Sequence, residues 1–72
     1  MHDDSWDISL RAALARLQAE HGSTWMVWYV PTWDGYRQGI TWCARRLADG
    51  RLLHAYQPRH LAEYIAAADS PP

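Results

Sequence analysis

The apolar residues change period twice along this chain, and that change limits what it can fold into. Trp6, Leu10, Ala13, Leu14 and Leu17 recur at helical spacing, one stripe of a 3.6-residue repeat. From Thr24 the spacing shortens toward two, in segments rich in β-branched and aromatic residues, as half-buried strands require. From Pro58 the helical spacing returns in Leu61, Tyr64, Ile65 and Ala68.

The pattern predicts a helix from Ser5 to His21. Asp4 is placed to cap it, Asp7 sits three residues on, and the acids Asp3, Asp4 and Asp7 suit the positive end of the helix dipole. Gly22 is the expected left-handed stop. Strands are predicted over Thr24–Val30, with Pro31 ending the first, then Ile40–Leu47 and Arg51–Gln57. Ala48-Asp49-Gly50 joins the last two as a tight hairpin, because Asp-Gly accepts positive φ. The loop from Thr32 to Gln38 is longer and carries Trp33 and Tyr36. A closing helix covers Pro58–Ala68, with Pro58 in its first turn.

The expected fold class is therefore α+β in the order α-β-β-β-α. Two helices pack on one face of a three-stranded antiparallel meander, a two-layer domain. The 72 residues make one domain, ordered over about 5–68, with frayed ends at 2–5 and 69–72. A chain this short buries only about 60% of its unfolded surface, so its core must be dense.

Alternation assigns the faces. Trp25, Val27, Trp42, Ala44, Leu53 and Ala55 are placed under the helices, with Trp42 against both. Met26, Trp28, Val30, Cys43, Arg45, Leu52, His54 and Tyr56 then form the open face. The first strand is apolar on both sides, and a one-residue slip inverts it; Trp25, Val27 and Tyr29 then take the place of its open-face residues. In either register the open face is more apolar than a soluble monomer ordinarily shows. A second copy, another protein, stacked bases or the Trp33 loop folded across it are the candidate covers.

The charges add a second feature. The formal net charge is −1, yet Arg37, Arg45, Arg46 and Arg51 gather around the second hairpin against the single acid Asp49. Arginine interleaved with Tyr36, Trp42 and Tyr56 makes these four candidate nucleic-acid contacts. The same mixture is enriched at protein interfaces and also suits a solvated edge. With a sequence pI near 6.4 there is no broad basic footprint.

Catalytic and metal chemistry find little to work with. His21, His54, His60 and Cys43 lack zinc-ligand spacing. Cys43 and His54 on neighbouring strands can form a nucleophile–base couple, but no oxyanion motif or Gly-rich phosphate loop accompanies them. Cys43 reads as a structural thiol. The expectation is no enzyme, no cofactor and no metal. The longest apolar run, Trp25 to Pro31, is far short of the ~20 residues of a membrane span. The acidic start Met1-His2-Asp3-Asp4 is unlike a secretory signal, and one cysteine cannot build a disulfide framework. A cytoplasmic location is expected. All seven basic residues are arginine, and Lys, Phe and Asn are absent, a codon pattern that fits a high-GC bacterial genome.

Two resemblances bear on function. The order α-β-β-β-α is similar to that of the double-stranded-RNA-binding domain. That family contacts phosphates through a Lys cluster at the start of its second helix, where this chain has Pro58, Arg59, His60 and Glu63. Separately, Trp25-Met-Val-Trp28, Gly39-Ile-Thr-Trp-Cys-Ala-Arg-Arg46 and a closing helix with Leu61 and Ile65, together spanning 21–68, resemble short Trp-rich actinobacterial proteins. Those are often encoded beside helix-turn-helix regulators, which implies an accessory or regulatory role.

The functional expectation is a non-enzymatic protein-interaction or accessory regulatory module, either a homodimer or the partner of another cytoplasmic protein. Its interaction face comprises Trp28, Arg45, Leu52, His54 and Tyr56, with Trp33 nearby. The alternative is a nucleic-acid-binding regulator.

Overall fold

The structure of the protein, a computed structural model, describes residues 4–33, 35 and 38–70, and in residues 4–7, 33 and 38 the backbone alone. Helix α1 (Asp4–His21) leads into strands β1 (Trp25–Trp33), β2 (Gln38–Arg46) and β3 (Leu52–Ala55), and helix α2 (Pro58–Asp69) closes the chain. The sheet is antiparallel in the order β1-β2-β3. This is the expected α+β arrangement. Both helices pack on one side of the sheet, around a core of Leu17, Trp25, Val27, Trp42, Ala44, Ala55, Leu61 and Ile65. Among the described residues no helix is long and apolar enough to cross a membrane.

The core resolves the register of β1. Trp25 and Val27 are buried while Met26 is exposed, so the first strand has the orientation placed first above. Trp42, 1% exposed, stacks at a tilt on Tyr29 with ring centroids 5.0 Å apart.

Several local features depart from the expectation: Asp4, expected as the cap, is the first residue of α1, and β2 runs Gln38–Arg46 rather than Ile40–Leu47. Pro31 does not end β1; the ladder continues to Trp33 opposite Gln38, leaving residues 34–37 as the connection. Leu47 N donates to Thr24 O, so Thr24 and the even residues after it turn their backbone groups toward β2. Pro31, at an odd position paired with Ile40, points its nitrogen away from the sheet. A missing N–H costs nothing on that outer edge.

Gly22 stops α1 without a left-handed φ, since positive φ occurs only at Gly35 and Gly50 among the described residues. It is needed for space instead: its N–H still bonds Gln18 O at 2.8 Å, and a Cβ there would collide with that same oxygen. Gly50, at φ 76°, is the left-handed residue of the β2–β3 turn, as expected.

The third strand is shorter than predicted because only Leu52–Ala55 pair with β2. The second helix runs one residue further, to Asp69, and that end is anchored rather than frayed. Asp69 Oδ2 accepts from Trp25 Nε1 at 2.9 Å, and its Oδ1 faces Arg46 Nη1 at 3.4 Å.

Candidate interaction face of the sheet

The open face is a grid built by register. Met26, Arg45 and Leu52 align in one row across the three strands, and Trp28, Cys43 and His54 align in the next. Val30 and Thr41 form a third, with Tyr56 just past the end of β3. Met26 is 56% exposed, Leu52 55% and Tyr56 84%, and Val30 and Leu47 are exposed as well. Leu47 lies in the turn directly after β2 and lines crevices at the sheet's end with Asp69 and with Gln18 and Gly22, so it borders this face rather than belonging to its rows.

Cys43 sits at the centre of the grid and is only 5% exposed, flanked by half-buried Trp28 and exposed His54. It is thus buried rather than displayed. Arg46 N donates to Arg51 O, so the even residues of β2 carry the hydrogen bonds to β3. Cys43 and His54 therefore form a non-hydrogen-bonded pair, in which facing side chains stand closest. The sulfur lies 3.9 Å from Thr41 O, and burial pushes its thiol above the ordinary cysteine value. A raised pKa lowers the fraction of thiolate, the form that nucleophilic chemistry uses. Among the described residues no three His, Cys, Asp or Glu side chains gather where they could hold a metal ion.

The arginines divide into two groups. Arg46 points to the helix side and is occupied internally. Its Nε and Nη2 donate to the two oxygens of Asp49 at 3.1 and 3.2 Å. Its Nη1 donates to Ala68 O at 3.1 Å, and its guanidinium lies 5.3 Å from the Trp25 ring centre. The Asp49 hydrogen bonds are the main cause that raises the Arg46 pKa, and they hold the Asp49 carboxyl below its usual range. Arg46 is therefore a fastener between sheet, turn and helix, which removes it from the candidate nucleic-acid contacts. Sequence reasoning missed this because Asp69 is remote in the chain.

Arg45 and Arg51 are exposed. Arg45 lies on the open face, its guanidinium over Gly50, where an added Cβ would stand 3.5 Å from Nη2. No acid faces it from the rows of the grid. Arg37 and Tyr36 lie outside the described residues. The backbone of Trp33 continues the alternation of Trp25, Val27 and Tyr29, not that of Met26, Trp28 and Val30, so register does not add it to the open face. The face thus gathers Trp28, Arg45, Leu52, His54 and Tyr56, joined by Met26 and Val30.

The groove between the helices, lined by Ala13, Leu17, Glu20, Pro58, Arg59 and Ala62, lies on the opposite side of the sheet. No family model, curated protein or solved structure matches the chain.

Proposed function

We propose that this protein is a non-enzymatic interaction module that works through the open face of its sheet. The observation that carries the reading is the set of exposed apolar side chains, Met26, Val30, Leu52 and Tyr56, around the buried centre at Cys43. Exposed apolar groups gathered on one face fit a protein contact site. The centre-and-rim arrangement supports it too: apolar and aromatic groups surround a buried middle, and among the described residues of these rows Arg45 carries the charge. The resemblance to short Trp-rich actinobacterial proteins supports an accessory or regulatory role in the cytoplasm.

Nucleic-acid binding is the second reading, favoured by exposed Arg45, which has no acid opposite it in the described rows of the face, and by the exposed side chain of Arg51 nearby. It is the weaker one because Arg46 is neutralised by Asp49 and Asp69, and phosphate binding depends on the number of free cations.

A photo-crosslinking amino acid at position 56, with position 64 on α2 as control, separates the readings in cells. Both native tyrosines are exposed. Discrete protein adducts from 56 and not from 64 are expected. Oligonucleotide binding that weakens about a hundredfold or more between 50 and 200 mM salt, and that needs Arg45 and Arg51, would replace this reading with the second.

A further inference from the structure

Building on that reading, we infer that the occupant of the open face is a second copy of this chain, seated face to face about a two-fold axis that runs along the Trp28–Cys43–His54 row.

The edges of the sheet direct association to the face. On β1 the outward groups belong to the odd residues. Pro31 has no N–H to offer there, and the Val27 carbonyl already accepts from Gln18 Nε2 at 3.4 Å. An added strand would meet a missing donor and an occupied acceptor, the devices by which edge strands avoid pairing. The opposite edge, β3, is four residues long and offers outward groups only at Leu52 and His54. Neither edge supports a continuous ladder.

Charge then selects the arrangement. Two stacked sheets with strands in line can be related by an axis along β2 or by an axis across the strands. The first sets Arg45 over the partner's Arg45, a like-charge contact in a water-poor interface. The second reverses the strand direction and sets Arg45 over the partner's Thr41, with the partner's Tyr56 one strand away. Strand spacing is ~4.8 Å, within the ~6 Å reach of a cation–π contact. Met26 then meets the partner's Val30, and Leu52 meets the partner's Tyr56. On the axis Trp28 packs on its counterpart.

The area sets the strength. With β1 and β2 nine residues long and β3 four, the face covers roughly 350 Å² of plane at ~3.3 Å per residue and ~4.8 Å per strand. Side-chain relief adds to this, but the contact stays at the small end of specific interfaces, ~1,200 Å² in total and below. Dissociation in the micromolar range is expected, with two copies and no further growth, because a two-fold contact closes on itself.

Sedimentation equilibrium of the full chain from 1 to 500 μM tests the occupant. A monomer–dimer equilibrium is expected, with the dissociation constant raised about tenfold or more by Tyr56→Arg and by Leu52→Arg, each exposed and each keeping the monomer's circular dichroism. A clean monomer at 500 μM overturns the second copy. Adducts to a different protein from position 56 would then leave the interaction reading standing, and their absence would remove it as well. Geometry is tested in a Cys43→Ser background by mixing Thr41→Cys and Arg45→Cys chains with a short bismaleimide. The 41–45 product should exceed 41–41 and 45–45. A dominant 45–45 product, or a dimer indifferent to Tyr56→Arg, overturns the proposed axis.

Discussion

Trp25 Nε1 donates to Asp69 Oδ2 at 2.9 Å, joining residues 44 apart in sequence. Trp25 opens β1 and Asp69 closes α2, so this contact ties the last turn of the fold to its first strand. The indole is 1% exposed, and a buried N–H needs a partner. The other carboxylate oxygen meets Arg46, which also holds Ala68 O at the helix end. A cation is favourable there, where unpaired carbonyls concentrate negative charge.

Asp69→Ala should therefore loosen α2 from its C-terminal end. The Trp25 N–H loses its acceptor, at a cost of about 1–3 kcal/mol for a stranded buried donor. Urea unfolding should show the lower midpoint, and amide exchange over 66–70 should quicken before the rest of the helix. Unchanged exchange there would mean that the carboxylate is not the anchor.

Trp42→Ala should cost roughly 3–5 kcal/mol, as large-to-small core changes do. Trp42 is buried in the core cluster that holds Leu17, Leu61 and Ile65, and its ring lies against Tyr29; a domain of this size has little stability to lose. Loss of the cooperative thermal transition is the expected result. A retained transition within a few degrees of the parent would contradict the packing.

Asp49 gives the fold an acid-sensitive element. Hydrogen bonds from Arg46, and then from the Arg51 amide, lower its pKa below the ordinary 3.8. A carboxyl whose folded pKa lies below its unfolded one stabilises above the unfolded value, and that stabilisation fades as pH falls through the folded value. The gap in urea midpoint between parent and Asp49→Asn should be constant from about pH 8 to pH 5 and then narrow as pH drops below the ordinary carboxylate value. A gap that persists at low pH would assign the effect to something other than this charge.

Cys43 should alkylate slowly in the folded protein. Its burial lowers access, and its raised pKa lowers the thiolate fraction at neutral pH. Maleimide or Ellman's reagent should react much faster after unfolding. Cys43→Ser should leave the fold nearly intact, since the hydroxyl retains Thr41 O as an acceptor. Fast labelling of the native chain would reverse this view of the thiol.

Periodicity made the element order and the helix-side face legible, because Trp42, Ala44, Leu61 and Ile65 each sit where alternation or helical spacing puts an apolar group. The open face was legible as a set of residues for the same reason. What escaped was non-local or geometric. Arg46 looked like the other hairpin arginines until the fold brought Asp69 to it. Pro31 read as a terminator because composition does not say which side of a strand faces solvent. Gly22 read as a left-handed cap, whereas the demand on it is clearance from Gln18 O. Alternation puts Cys43 on the open face, yet it is buried there between Trp28 and His54 of its row, and burial depends on side-chain bulk across strands, which period alone does not give.

Trp42 and Cys43 share one peptide unit and face opposite layers. Because Trp42 and Ala44 are locked in the core, the backbone beneath the open face has no room to yield. Whatever docks there must match a rigid plane, so encounter is limited by collision and orientation, at about 10⁵–10⁷ M⁻¹s⁻¹. At the micromolar affinity inferred for a second copy, complexes would part within about ten seconds to a tenth of a second. Contacts of that kind would follow the local concentration of the partner and would release without any unfolding.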